Sequence, residues 1–118
     1  MRMWMVNPKI LCQKHLFGEH VELHMFIGTL KRKISISGYI ENNLLEILSI
    51  EQRHSELLTE IIDRKYNHKS PLIINPDLYS YLSEYEINYK IGKDKALYDL
   101  ISRCPFCYNN YIEIKKGF

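Results

Sequence analysis

Residues 7–31 read NPKILCQKHLFGEHVELHMFIGTLK, and this stretch decides the fold class. Asn7-Pro8 is a helix start: Asn can cap free amides, and Pro fits the first helical position, where its missing N–H costs nothing. Behind it Leu16, Leu23, Ile27 and Leu30 recur at intervals of 7, 4 and 3, one side of a helix. The pattern predicts a helix over residues 8–31. Gly18 and Gly28 interrupt it at up to ~1 kcal/mol each relative to Ala, so packing or close backbone approach is expected to explain them.

Beyond this stretch, Ile34, Ile36 and Gly38 alternate with Ser35 and Ser37, which fits a short strand or an extended loop, the loop being favoured. Ser49-Ile50-Glu51-Gln52 has the form of a capping box. It precedes a helical face of Ile50, Leu57, Leu58, Ile61 and Ile62 that fades at Tyr66-Asn67. Asn75-Pro76-Asp77 repeats the Asn-Pro start, with Leu78, Leu82 and Tyr85 as a short apolar face. A last helix opens near Asp94 and carries Leu97, Leu100, Ile101 and Cys104 until Pro105 ends it. The expected fold is all-α, a compact single-domain bundle of about three to four helices with long polar loops.

The chain has 118 residues, the size of one domain. Its 46% hydrophobic and 25% charged residues match globular averages and argue against wholesale disorder. No apolar run is long enough to span a membrane. The opening MRMWMVNPKILCQK lacks the apolar core of a signal peptide. Three cysteines, an odd number, fit a reduced protein, and a cytoplasmic, nucleoid-associated monomer is expected. The net charge of +2 is unevenly distributed. Residues 1–33 carry six Lys/Arg against two Asp/Glu, residues 34–92 five against nine, and residues 93–118 five against three. Two basic ends around an acidic middle suit a polyanionic partner met by the termini.

The first helix is dense in functional groups. His15, Glu19 and Glu22 succeed one another at spacings of four and three, placing them on one face able to border solvent or a cleft. His20 and His24 form a second pair, although HVELH lacks the Glu directly after the first His that zinc proteases require. Cys104-Pro105-Phe106-Cys107 has zinc-knuckle spacing, with Cys12 as the one other cysteine. It reads either as a Cys12/Cys104/Cys107 site completed by one His or as paired buried thiols. Eight of nine tyrosines lie after residue 65. Those at 79–89 suit a core, while Tyr108, Tyr111 and Lys115-Lys116 suit stacking on or contact with nucleic acid.

Taken together, these motifs resemble the pyrimidine-dimer DNA glycosylase/lyase family. The resemblance rests on Met1-Arg2-Met3-Trp4 with Asn7-Pro8 and on His15-Leu16-Phe17-Gly18-Glu19-His20-Val21-Glu22-Leu23. It extends to Arg53-His54-Ser55-Glu56-Leu57 and to Asp63 through Leu72, and loosely to the aromatic and basic C-terminus. It implies a bifunctional enzyme whose nucleophile is the α-amine of the first residue, here Met1, retained because Arg2 is large. An α-amine suits the task, since such groups ordinarily titrate near ~7.7–8 and keep a useful neutral fraction. Glu22 matches the family's catalytic carboxylate, which stabilises the cationic sugar or iminium and moves the proton. No metal or cofactor is needed.

The implied partner is double-stranded damaged DNA, with no membrane involved. The DNA-contacting set is Arg2, His15, His20, His24, Lys31, Arg32, Lys33, Arg53, His68, Lys69, Tyr108 and Lys115. Val21 and Met25 stand where the family carries arginines beside the catalytic Glu. Trp4 is expected to pack and pin the N-terminus. Two other functions compete: a non-catalytic DNA-binding module of the same fold, and a metal-dependent hydrolase built on His15, Glu19, Glu22 and the His20/His24 pair.

Overall fold

The computed structural model describes residues 1–67 and 71–117. Six α-helices form among them: α1 Gln13–Lys31, α2 Ser37–Glu41, α3 Ile50–Asp63, α4 Glu84–Asn88, α5 Lys93–Arg103 and α6 Pro105–Lys116. No strand forms among the described residues, and the fold is all-α. No helix there is long and apolar enough to cross a membrane.

The long first helix starts later than the Asn-Pro signal implies. Asn7 does cap, its side chain accepting from the Lys9 amide at 3.0 Å, but it opens only a 3-10 turn, Pro8–Ile10. Leu11 and Cys12 are extended, and α1 begins at Gln13. The break buries both Ile10 and Leu11, which one continuous helix would send to different sides. From Gln13 on, Leu16, Leu23, Ile27 and Leu30 are buried as the periodicity requires. Glu19, His20, Phe26 and Thr29 are buried as well, because α3 packs along α1 and the 3-10 turn Pro76–Tyr79 packs on it too.

Three further elements depart from the sequence reading. Residues 37–41 are helical rather than a loop, placing Ile40 in the core. Ser49 precedes α3 but makes no capping bond; its hydroxyl instead donates to the Glu46 carboxylate. A capping box does form one helix later, where Ser83 and Glu86 exchange bonds at the start of α4. On α3 only part of the expected apolar face is inside. Ile50, Leu57 and Ile61 are buried, Ile62 is exposed, and Arg53, His54 and Glu60 are buried beside them.

Pro105 ends α5, yet it also starts α6, for the same reason that Pro suits a first helical position. The C-terminal segment is therefore a helix packed on α5 and on the Pro8–Ile10 turn. Gly18 lies under the Glu22 carboxylate, whose Oε2 would stand 3.7 Å from an added β-carbon, an ordinary contact. Gly28 has no atom within 4 Å of that position, so packing does not explain it.

Candidate functional site

The N-terminal arm is pinned at several points. The Met3 amide donates to the Leu44 carbonyl at 2.7 Å, and the Met3 side chain is wholly buried. Trp4 is buried, with the Arg2 guanidinium 3.6 Å above its ring and the His15 ring edge-on at 5.7 Å. Arg2 Nη1 also lies 3.7 Å from Asp99 on α5. Burial pulls the Arg2 guanidinium below its ordinary value, and Asp99 works against that. Arg2 thus points inward, and the phosphate contact expected of it does not match a side chain stacked on Trp4.

This anchoring delivers the start of the chain to one residue of α1. The Arg2 amide donates to Glu22 Oε1 at 3.0 Å, and the Met1 amine lies 3.5 Å from the same oxygen. Both side chains keep some access to solvent, 16% for Met1 and 27% for Glu22. A carboxylate so close to an amine can accept its proton, and it can stabilise a cation formed on that nitrogen. Val21 and Met25, on either side of Glu22 in sequence, are both exposed. Among the described residues, surface clefts lie elsewhere. One of about 210 Å³ is lined by Met5, Asn7, Arg53 and Lys93 among others; a wider one of about 800 Å³ is lined by Lys14, Phe17, Arg64 and Phe106 among others.

Glu19 does not share the surface with Glu22. At about 100° per residue, Glu19 lies only about 40° from Leu23, whereas Glu22 lies about 100° away. Glu19 is wholly buried and receives Arg53 Nε at 2.6 Å and Nη2 at 3.0 Å. Arg53 Nη1 donates to the Val6 carbonyl at 2.7 Å. With all three guanidinium nitrogens engaged and the side chain 2% exposed, Arg53 is held inside, which corrects the DNA-contact role expected of it. His20 is likewise buried, its Nε2 3.1 Å from His54 Nε2, and the His24 ring is 5.1 Å from each of those rings. The three could hold a metal ion, their ligand atoms lying within 4.8 Å of one another. The hydrolase set is divided: Glu19 is sealed against Arg53, and His20 and His24 join His54 rather than His15 and Glu22.

His15 faces Cys12, Cys104 and Cys107, a second group able to hold a metal. Burial and Lys14 hold its imidazole below the ordinary value, with Glu22 opposing, so the ring favours its neutral form. Lys31, Arg32 and Lys33 are exposed at the C-terminal end of α1. Tyr108 is exposed on α6, and Lys115 Nζ sits 5.5 Å over the Tyr111 ring. His68 and Lys69 lie outside the described residues. The sequence reading missed Asp99, which anchors Arg2 from 97 positions away; nothing local marks it.

A family model described as pyrimidine dimer DNA glycosylase matches residues 1–74. That span includes the arm, α1, α2 and α3, and stops before α4–α6. No curated protein and no solved structure matches the chain. With the match covering more than half of the chain and containing both Met1 and Glu22, the protein belongs to the pyrimidine dimer DNA glycosylase family.

Proposed function

We propose that the protein is a DNA repair glycosylase with an AP lyase activity, acting as a single chain on pyrimidine dimers or related lesions. The observation that carries this reading is the Met1 amine 3.5 Å from Glu22 on an anchored arm. The neutral α-amine attacks the deoxyribose C1′ of an extruded nucleotide, and the base departs with the bonding electron pair and takes up a proton. Ring opening gives an iminium between the Met1 nitrogen and C1′. Loss of a C2′ proton then expels the 3′ phosphate and nicks the strand. Glu22 accepts the amine proton, stabilises the iminium and passes protons between the steps. Extrusion is cheapest where damage has already weakened stacking, which gives some selectivity for lesions.

Lys31, Arg32 and Lys33 supply the backbone contacts in this reading. They begin about 14 Å along α1 from Glu22, the rise of about four base pairs, so they would engage the duplex beside the lesion rather than at it. Tyr108 and Lys115 on α6 are the second contact region, while His15 packs on Trp4 of the arm and His24 stands with His20 and His54.

Borohydride reduction of the protein with abasic duplex DNA is expected to trap a covalent adduct that peptide mapping assigns to Met1. An adduct on a lysine, or none, overturns the mechanism. Glu22→Gln should retain DNA binding and lose nicking by at least ~100-fold. Unchanged nicking removes Glu22 from its role.

A further inference from the structure

We propose that Cys12, His15, Cys104 and Cys107 form a closed structural zinc site joining α1 to the corner between α5 and α6. Three of the six separations among the donor atoms are short enough for ligands of one shared tetrahedral ion. Cys12 Sγ is 3.8 Å from Cys104 Sγ, and His15 Nδ1 is 3.2 Å from Cys12 Sγ and 3.5 Å from Cys107 Sγ. All four donor atoms fall within 4.8 Å of one another. With Zn–S near 2.3 Å and Zn–N near 2.0–2.1 Å, tetrahedral coordination demands S···S edges of about 3.8 Å and S···N edges of about 3.5 Å.

Local structure explains why the four converge. Cys104 is the N-cap of α6 and Pro105 its first residue, so Cys107 falls one turn on, with its sulfur beside that of Cys104. Cys12 is likewise the N-cap of α1, and His15 sits one turn into that helix. Both pairs thus stand at helix N-termini, where backbone N–H groups are left free to donate to sulfur. Amide donors are in place as well: Cys12 N donates to Cys107 Sγ at 3.2 Å, and Cys107 N to Cys104 Sγ at 3.4 Å. Cys104 and Cys107 are buried and Cys12 and His15 half-buried, with four protein donors and no vertex left for substrate. Such a set is structural rather than catalytic.

Its consequence reaches the Met1 amine. The His15 ring packs on Trp4, Trp4 carries Arg2, and the Arg2 amide holds Glu22. An ion fixing His15 would therefore stiffen the floor under the N-terminal arm. The family match ends at residue 74, so Cys104 and Cys107 come from the part of the chain outside it.

The test uses the full chain, purified under reducing conditions. Elemental analysis should find zinc equimolar with protein. Co²⁺ added to the chelator-stripped protein should give the visible bands and thiolate charge-transfer absorption of a tetrahedral site. Zinc should protect the thiols from alkylation and raise the melting temperature on the order of 10 °C. Cys104→Ser with Cys107→Ser should abolish cobalt binding. His15→Cys should retain it with an altered spectrum, which keeps the proposal testable if the serine variant fails to fold. A stripped wild-type protein that takes up no Co²⁺ overturns the proposal. So does an isolated protein with a Cys12–Cys104 disulfide that persists after mild reduction, or a His15→Cys variant that loses the metal.

Discussion

Arg53 allows the sharpest quantitative test of how the interior is held. Arg53→Met leaves a side chain of similar length but strands two acceptors: the Glu19 carboxylate, with no solvent exposure, and the Val6 carbonyl. Breaking a buried pair from one side costs about 3–5 kcal/mol. The total stability of a domain this size is about 5–15 kcal/mol, so the variant should fold but sit near its limit. In thermal terms the loss is about 12–20 °C, at about 4 °C per kcal/mol. The reverse change, Glu19→Leu, should cost at least as much, since an orphaned carboxylate can take up a proton but an orphaned guanidinium cannot release one.

Replacing both residues fills the site with apolar volume, and Glu19→Leu with Arg53→Met should return to within about 2 kcal/mol of the parent. It will not restore the Val6 anchor, so the arm carrying Met1 should remain looser and borohydride trapping weaker. Urea unfolding followed by far-UV circular dichroism on the four proteins closes the cycle. A loss under ~1 kcal/mol for Arg53→Met, or a double variant as unstable as the sum of the singles, would refute the reasoning.

Two further tests address the elements around this interior. Asn43 is buried with φ 64°, accepts from the Gly92 amide and the Tyr89 hydroxyl at 2.7 Å each, and donates to the Gly92 carbonyl at 3.1 Å. Asn43→Ala should cost about 2–4 kcal/mol, and Asn43→Gly about 1 kcal/mol less, because glycine tolerates the left-handed backbone. Thermal melts in which the glycine variant is the weaker of the two contradict this. Burial works against ionisation of Glu60, but its bonds from Arg64 and Lys9 outweigh that and hold its carboxyl below the usual range. A depressed folded value means that stability is present above the ordinary carboxylate pKa and lost as pH falls through the folded one, below about pH 4. Parent and Glu60→Gln should therefore differ in melting temperature by a constant amount above about pH 5 and converge in more acid solution. A gap unchanged at about pH 3 rules out the linkage.

Much of the local structure was legible in the sequence. The spacing of Leu16, Leu23, Ile27 and Leu30 determined the main helix, and the all-α class came from it. The pairing of Met1 with Glu22 came from the resemblance, and the fold brings them to 3.5 Å. Short elements escaped because five residues cannot show a helical period, as in α2 and α4. The Ser49 box failed because a buried carboxylate, Glu46, competes for the hydroxyl, a competitor that neighbouring sequence does not reveal as buried.

Side-chain chemistry and spacing along one helix were thus set by the chain itself, since a helix carries its own register. Which polar groups lie inside depended on partners from distant positions. Glu19 and Glu22 are three residues apart on one helix, yet Arg53 seals the first while the arm brings Met1 to the second. Cys12 and Cys104 are 92 positions apart and meet at 3.8 Å only because α6 folds back onto the start of α1. Burial and convergence are properties of packed surfaces, and only the tertiary structure decides which surfaces meet.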